Sequence, residues 1–219
     1  MTTEDMRARL AKLDASCLSD PDKSIRAVDP AIQLVSQSGT MAGRAFTVAC
    51  DDDFLGVIKA VEQAQPGDVV VVDGKGGHRA LCGELVASEA ERRGLAGIVI
   101  DGGLRDTAFI AGMSFPVYCR YRHPVAGTAV KPGELQVPVT CGGIKVHPGD
   151  YVIGDRDGIV VGSEAEIAAA LPVSEQIQAT EAKVYKALSG GKSLIELLNF
   201  EEHYAAVLAG KESKLAFRP

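Results

Sequence analysis

The sequence of 219 residues predicts an α/β fold built on a partly parallel sheet. Residues 69–73 and 97–101 are short, continuous apolar runs rich in Val and Ile, which is typical of strands buried on both faces. Between them, residues 81–93 carry an apolar stripe at helical spacing, formed by Cys82, Leu85, Val86 and Ala90. A strand, a helix and a strand at these lengths make a βαβ unit, so the two strands are expected to be parallel neighbours.

The remaining elements follow from the same periodicities and from Pro and Gly turns. Residues 1–40 mix helical signal with polar turns, and a helix is predicted over residues 54–65. Further along, the predicted elements are a helix over 105–112, strands over 116–119, 134–140, 151–154 and 158–161, and helices over 164–171, 174–188 and 193–198. Ser163 and Glu166 form a capping-box pattern at the start of the C-terminal helices. We therefore expect one domain over residues 1–219, with a helical C-terminal tail from about residue 163 to 219.

Charge and composition exclude several classes of function. The net charge is −6, so we expect no nucleic-acid partner, because binding phosphates requires a basic face. The five cysteines are widely spaced without a C-x-x-C pair, which predicts reduced thiols and neither a zinc site nor a disulfide framework. The apolar runs are too short to span a bilayer, and the N-terminus carries charge where a signal peptide is apolar. A cytoplasmic protein without a membrane partner is expected.

Candidate functional residues lie where the two buried strands end. Each strand ends in Asp-Gly, and ligands of open parallel sheets bind beyond the carboxyl ends of strands. The segments 74–84 and 102–106 would meet there and supply Lys75, His78, Arg79, Glu84, Arg105 and Asp106. Arg105 suits a substrate carboxylate, and Glu84 with Asp106 suits a hard cation such as Mg²⁺ or Mn²⁺. The alternative is that Arg105 and Asp106 only pair with each other or cap a helix.

A longer pattern in the same region resembles a known family. Residues 67–106, GDVVVVDGKGGHRALCGELVASEAERRGLAGIVIDGGLRD, resemble the RraA-like family, and the similarity extends from about Gly39 to Val161. That family includes 4-hydroxy-4-methyl-2-oxoglutarate aldolases, with associated oxaloacetate decarboxylase activity, and the regulator of ribonuclease activity A. Its enzymatic members carry an acidic residue, twenty intervening residues and then Arg-Asp, a spacing matched here by Glu84 and Arg105-Asp106.

The resemblance implies a class II, metal-dependent pyruvate aldolase. Such a lyase would cleave 4-hydroxy-4-methyl-2-oxoglutarate, or a related 4-hydroxy-2-keto dicarboxylic acid, to pyruvate and would decarboxylate oxaloacetate through the same enolate. Asp106 would bind Mg²⁺ or Mn²⁺ directly and Glu84 through water, and the metal would polarise the 2-keto oxygen. Arg105 would hold the pyruvyl carboxylate and stabilise the enolate. The same end of the substrate would be bound by the backbone amides of Gly83, Glu84, Leu85 and Val86.

The family likeness also implies a β/β/α swivelling-type sandwich that assembles as a homotrimer or a dimer of trimers. A glutamate from the C-terminal region of a neighbouring subunit would complete each site, and Glu181 is the candidate, with Glu175 as the second choice. Two positions depart from the family pattern: Glu84 stands where Asp is common, and Phe109 stands where an acidic residue often follows the Asp.

The resemblance leaves one alternative of another class, a non-catalytic, protein-binding regulator of ribonuclease activity. Regulator-type members can lack the first acidic residue of the motif. The presence of Glu84 therefore favours the enzyme.

Overall fold

The computed structural model describes residues 2–37 and 39–218, in which seven helices and twelve strands occur. The helices are α1 Thr3–Leu10, α2 Ala15–Ser19, α3 Leu55–Gln63, α4 Glu84–Arg92, α5 Thr107–Ile110, α6 Glu164–Ser189 and α7 Phe200–Leu208. The strands are β1 Arg26–Ala27, β2 Gln33–Leu34, β3 Met41–Ala49, β4 Asp68–Asp73, β5 Ala80–Cys82, β6 Gly97–Leu104, β7 Val117–Arg122, β8 Glu134–Leu135, β9 Val139–Cys141, β10 Ile144–Val146, β11 Tyr151–Gly154 and β12 Ile159–Gly162. Contacts divide the chain into a unit that ends at Ser174 and a unit that begins at Glu175.

A mixed sheet forms the centre of the first unit. Its strand order is β1-β12-β11-β3-β4-β6-β7-β2, with β5 beside β6 and β8 beside β3. Strands β3, β4, β6 and β7 run parallel to one another, whereas β11, β12, β1 and β2 pair antiparallel with their neighbours. Val70 of β4 lies opposite Ile98 of β6, so the predicted βαβ unit is confirmed.

Successive residues of each strand point to opposite faces of the sheet, and apolar residues occur on both faces, so each face is covered by its own layer. On one face Val70 belongs to a core that includes Val57 of α3 and Ala90 of α4. On the other face Val69 belongs to a second core that includes Val139 of the β9–β10 hairpin. The order of hairpin, large sheet and helices is a β/β/α sandwich, which confirms the expected fold class.

The strand that precedes α4 differs from the prediction. The apolar stripe predicts a helix from residue 81, but Ala80–Cys82 forms β5 and pairs in parallel with β6 at Gly103 and Leu104. A Cβ atom at Gly103 would lie 2.4 Å from the carbonyl oxygen of His78, so glycine allows β5 to approach β6 this closely. The helix therefore begins three residues later than its pattern indicates.

The C-terminal helices also differ from the prediction. Helix α6 continues through Pro172, although proline removes one backbone hydrogen bond, and the hydroxyl of Ser174 donates to the carbonyl of Ala170 at 3.0 Å. The capping box at its start is confirmed, because the amide of Ser163 donates to Glu166 at 2.6 Å. The helix predicted over 193–198 is wrong, since that segment forms turns and the helix is α7. In the described parts of the chain, no helix is long and apolar enough to cross a membrane.

A buried aspartate anchors the segment between β7 and β8 to the start of α3. Asp53 is 1% exposed. Its Oδ2 accepts hydrogen bonds from the Thr128 hydroxyl at 2.7 Å and from the Val130 amide at 2.7 Å. The Lys131 amide donates to the same oxygen at 3.0 Å, and the Leu55 amide donates to Oδ1 at 2.9 Å. Burial opposes ionisation, but these hydrogen bonds outweigh it and hold the pKa of Asp53 well below its ordinary value.

Replacing Asp53 by Asn is expected to lower the midpoint of thermal unfolding by about 5 °C or more at pH 7. A carboxyl whose pKa is lowered by folding makes its full contribution to the free energy of unfolding above its ordinary pKa of about 4. It loses that contribution as the pH falls toward its pKa in the folded state. The difference in midpoint between wild type and variant, followed by circular dichroism, should therefore shrink between pH 7 and pH 3.

The matched control for this variant is Asp51→Asn, which removes an exposed carboxylate paired with Lys131 at 2.9 Å. An exposed ion pair contributes little, so a change in midpoint below about 2 °C is expected. A deficit of Asp53→Asn that stays constant or grows below pH 4 would contradict the ionised carboxylate as its cause.

Candidate active site

A cavity of about 390 Å³ opens where β5, the first turn of α4 and the end of β6 meet. Its charged lining consists of Glu84, Arg105 and Asp106, and Gly83 lies beside them. Phe54 and other apolar residues supply the rest of the lining. The residues named by the sequence motif are therefore gathered at one cavity, although twenty residues separate its two halves.

The carboxylate of Asp106 is the centre of the charged lining. Its Oδ2 accepts a hydrogen bond from the backbone amide of Glu84 at 3.2 Å, and the Nε of Arg105 lies 3.4 Å from the same oxygen. Pairing and helix capping, which the sequence offers as the alternative to a ligand site, are thus both present. The side chains of Arg105 and Asp106 nevertheless stay 45% and 35% exposed, so both remain open to a ligand.

The backbone at Asp106 adopts a conformation that few residue types accept. Its φ of 57° and ψ of 32° place it in the left-handed region, at the N-terminal cap of α5. Asp and Asn enter this region more readily than other residues with a Cβ atom. Positive φ at a residue other than glycine is often retained at functional sites, where the surrounding structure holds it in place.

Gly83 leaves room for the carboxylate of Asp106 because it has no side chain. The residue is extended, with φ −155° and ψ −170°, so its backbone alone does not require glycine. A Cβ atom built on Gly83, however, would lie 2.4 Å from Oδ2 of Asp106 and 3.1 Å from Cγ of Arg105. Arg105 and Asp106 therefore occupy the space that a side chain at position 83 would need.

The first turn of α4 adds backbone donors to the cavity. The amides of Leu85 and Val86 have no carbonyl partner within the helix, because they belong to its first turn. The amide of Glu84, which the family pattern also assigns to the substrate, already donates to Asp106. Gly83, the N-terminal cap, has no side chain to accept from Leu85 or Val86. The partial positive charge of the helix terminus and these amides suit an anionic group such as a carboxylate.

Several predicted crevice residues do not line this cavity. Lys75 instead pairs with Asp73, with its Nζ 3.2 Å from Oδ2. His78 lies edge-on against Tyr121 at a ring distance of 4.9 Å. Arg79 is exposed and is likewise not part of the described lining.

The aspartates that end the two buried strands have structural partners. Asp73 accepts from the amide of Thr140 at 3.1 Å, and Asp101 accepts from the amide of Gly142 at 2.6 Å. Arg120 also pairs with Asp101. Both carboxylates therefore fasten the β9–β10 hairpin to the large sheet.

Apolar residues on α3 and after β7 were missed as part of the site. Phe54, Ile58 and Ala126 line the cavity, but none belongs to the motif. Leu85 also departs from its predicted place in the core, since it lies at the cavity and is 76% exposed. Ile58 is 43% exposed. The helical spacing of apolar residues could not predict this, because the same spacing is expected of a fully buried helix face.

The carboxylates at the cavity fit a hard divalent cation whose shell is completed by water and substrate. No cluster of three His, Cys, Asp or Glu residues suited to a metal occurs within residues 2–37 and 39–218. Mg²⁺ keeps several waters and is bound by one or two carboxylates together with substrate oxygens, which Asp106 and Glu84 can supply. Cys82 also lines the cavity, and burial raises the pKa of its thiol to about 12.

Three positions named from the family pattern, Glu175, Glu181 and Phe109, are not part of the described lining of the cavity. Glu175 and Glu181 belong to the second unit and lie on α6. Their contribution to a neighbouring subunit's site stays a prediction. Phe109, where the family often has an acidic residue, is 53% exposed.

Comparison with known proteins shows the family of this chain. Residues 14–161 match the RraA-like family, described as Aldolase/RraA. A protein of Halalkalibacterium halodurans, provisionally named 4-hydroxy-4-methyl-2-oxoglutarate aldolase, is 32% identical over 187 residues, covering 84% of this chain and 89% of that protein. The structure of an uncharacterized protein from Pseudomonas syringae is similar with a TM-score of 0.78 at 26% identity, covering 89% of this chain and 93% of that one. The RNA-processing inhibitor RraA from Thermus thermophilis gives 0.64 at 30% identity, covering 68% and 92%. The chain belongs to the RraA-like family.

Proposed function

We propose that this chain is a divalent-metal-dependent lyase that cleaves a 4-hydroxy-2-oxo acid by a retro-aldol reaction and releases pyruvate. The observation that carries the proposal is the meeting of Arg105, Asp106 and the first turn of α4 at one cavity. The names of relatives make 4-hydroxy-4-methyl-2-oxoglutarate the reference substrate. Oxaloacetate would be decarboxylated as a side activity, because both reactions leave a pyruvate enolate.

The proposed roles follow from the position of each group. Arg105 faces Asp106 through Nε, so its terminal nitrogens would bind the pyruvyl carboxylate as a fork. The amides of Leu85 and Val86, in the first turn of α4, would bind the same end. In the retro-aldol step the C4 hydroxyl would lose its proton to water and become a carbonyl as the bond between C3 and C4 breaks. The electrons of that bond would form the C2–C3 double bond of an enolate, which the positive charge of Arg105 would stabilise until C3 takes up a proton to give pyruvate.

The cation proposed for this site is Mg²⁺ or Mn²⁺, held by Asp106 directly and by Glu84 through water. When bound, such a cation supplies Lewis-acid polarisation of a 2-keto oxygen. Asp106 is fixed for this purpose by the amide of Glu84 and by the space that Gly83 leaves. The reaction needs no Schiff-base lysine, and Arg105 is the one basic residue in the described lining of the cavity.

A homotrimer or dimer of trimers is proposed as the assembly, with Glu181 of a neighbouring subunit reaching the site. Leu85 and Phe109 support an interface near the cavity, since they are 76% and 53% exposed. Large apolar side chains that remain exposed are common on surfaces that another chain covers.

Removing divalent metal is expected to abolish pyruvate release. The purified chain is assayed with 4-hydroxy-4-methyl-2-oxoglutarate and with oxaloacetate, first with Mg²⁺ and then with excess EDTA. Loss of Lewis-acid stabilisation should lower the rate by at least about 10²-fold, and added Mg²⁺ or Mn²⁺ should restore it. EDTA already saturated with Mg²⁺ serves as the control. Undiminished turnover after chelation would refute the metal-dependent mechanism.

A regulator of ribonuclease activity is the second candidate. It is favoured by the similarity to a solved RNA-processing inhibitor at 30% identity. Such a protein would release no pyruvate from any 4-hydroxy-2-oxo acid, with or without metal. It would instead inhibit a ribonuclease in a cleavage assay at stoichiometric concentration, and Asp106→Asn would leave that inhibition unchanged.

A further inference from the structure

We propose that helix α7 docks against the α7 of a second copy of this chain, in antiparallel orientation about a two-fold axis. The docking face consists of Phe200, Tyr204, Val207 and Leu208. Of the two proposed assemblies, this contact selects the dimer of trimers, since it would join one trimer to another. The inference rests on the proposed assembly for the number of chains and does not depend on the lyase reaction.

The four residues of the docking face form one apolar stripe along α7. Their spacing of i, i+4, i+7 and i+8 places them on the same side of a helix. Tyr204, Val207 and Leu208 are 53%, 55% and 72% exposed, and no residue of α7 is buried within the described chain. A helix of nine residues depends on packing of its apolar face, so the stripe suits contact with another surface.

The other side of α7 is already covered by residues 211–218, which return along the helix. The Nδ1 of His203 lies 2.9 Å from the hydroxyl oxygen of Ser213. The guanidinium of Arg218 donates to Glu202 at 2.6 Å. These contacts hold α7 in place within the C-terminal unit and leave the stripe exposed. A surface that is ordered before binding loses less conformational entropy when a partner covers it.

The charges at the two ends of α7 make its docking face self-complementary. Glu201 and Glu202 lie in the first turn. Lys211 follows the other end, where its amide donates to the carbonyl of Ala206 at 2.9 Å. In an antiparallel pair, Glu201 of each copy would lie near Lys211 of the second copy, and the two helix dipoles would oppose each other. A parallel pair would place Glu201 beside Glu201, so the charges favour the antiparallel arrangement.

The same charges make a membrane surface a poor partner for the stripe. Helices that lie on anionic membranes carry Lys and Arg on their polar face. The sequence of α7, FEEHYAAVL, contains neither and begins with two glutamates. A second copy of the chain therefore fits the stripe better than a lipid surface does.

The size of the docking face suits a contact that is repeated. Four side chains from each copy provide less than the roughly 800 Å² per partner of a stable interface. In a dimer of trimers, three such contacts would form together. Linked contacts raise the affinity far above that of one contact alone, so a small face can hold two trimers together.

The test places a charge in the middle of the docking face. In Tyr204→Glu the two introduced carboxylates would face each other near the two-fold axis and would be desolvated there. Sedimentation velocity of the full chain should show six chains per particle for the wild type and three for the variant. The dissociation constant between trimers should rise at least about tenfold. Ala205→Glu is the matched control, because it adds the same charge at an exposed position of α7 off the stripe. It should keep six chains.

A charge exchange tests the antiparallel orientation. Glu201→Lys should raise the dissociation constant between trimers about threefold, because each contact would lose two exposed ion pairs and gain two repulsions. Adding Lys211→Glu to this variant restores opposite charges and should return the constant to within about twofold of wild type. A double variant that dissociates more readily than Glu201→Lys overturns the antiparallel pairing.

The remaining outcomes separate this inference from its alternatives. A wild type that sediments as three chains or fewer overturns it, as does an equal change of mass in Tyr204→Glu and Ala205→Glu. Unchanged mass in Tyr204→Glu with a lowered unfolding midpoint would assign the stripe to a contact within the chain. Binding of the wild type, but not of Tyr204→Glu, to phosphatidylserine vesicles would assign it to a membrane, and both results overturn the proposal. Absence of pyruvate release by a six-chain wild type refutes the lyase and leaves the docking intact.

Discussion

Replacing Asp106 by Asn is expected to lower kcat/KM for pyruvate release by about 10³-fold while the fold stays intact. Asn has nearly the same shape and enters the left-handed region as Asp does, so the backbone at φ 57° is kept. The amide lacks the negative charge that would bind the cation and that faces Arg105. Steady-state kinetics at saturating Mg²⁺ and thermal unfolding followed by circular dichroism measure the two effects.

Asp106→Ala separates chemistry from conformation. Ala is disfavoured in the left-handed region, so this variant should lose a further 1 kcal/mol or so of stability relative to Asp106→Asn, with the same loss of activity. Turnover of Asp106→Asn within a few-fold of wild type would show that the carboxylate is not the metal ligand. Its hydrogen bond from Glu84 would then be a helix cap alone.

Replacing Gly83 by Ala is expected to reduce kcat/KM by about 10²-fold, although Gly83 carries no functional group. The added Cβ atom would lie 2.4 Å from Oδ2 of Asp106, so the exposed carboxylate has to move away. A displacement of about 1 Å at a catalytic group is enough for a loss of this size. The extended backbone of Gly83 accepts Ala, so the unfolding midpoint should change little.

The control for Gly83→Ala is Gly112→Ala, since a Cβ atom there meets only the Phe109 carbonyl oxygen at 3.4 Å, an ordinary contact. It should retain wild-type activity. Full activity in Gly83→Ala, with the carboxylate displaced in a structure of the variant, would mean that the position of Asp106 does not limit the reaction.

The parallel core of this fold is predictable from its sequence because the signal is local and strong. Residues 69–73 and 97–101 are long enough to be recognised as buried strands, and they became neighbours as expected. Strand β5 was not predicted, because its three residues also fit the stripe of the helix that follows. The sequence predicts two helices on either side of Pro172, because proline favours a helix end, whereas α6 continues through it.

The candidate site is predictable in its charged part and not in its apolar part. Glu84, Arg105 and Asp106 belong to one spaced motif on adjacent elements of a βαβ unit, so their meeting follows from the topology. Phe54 and Ile58 reach the cavity only through the packing of α3 and the hydrogen bonds at Asp53. Sequence periodicity places apolar residues on a helix face but does not say which of them borders a ligand.

The two groups of residues around the cavity have separate supports. The charged residues are held by β5, β6 and the start of α4, and the apolar residues Phe54 and Ile58 are held by the hydrogen bonds of Asp53 at the start of α3. Mutations in one support need not disturb the other. Substitutions in α3 can therefore change the apolar side of the cavity while Glu84, Arg105 and Asp106 keep their positions, which is one physical route by which a single fold comes to bind different ligands.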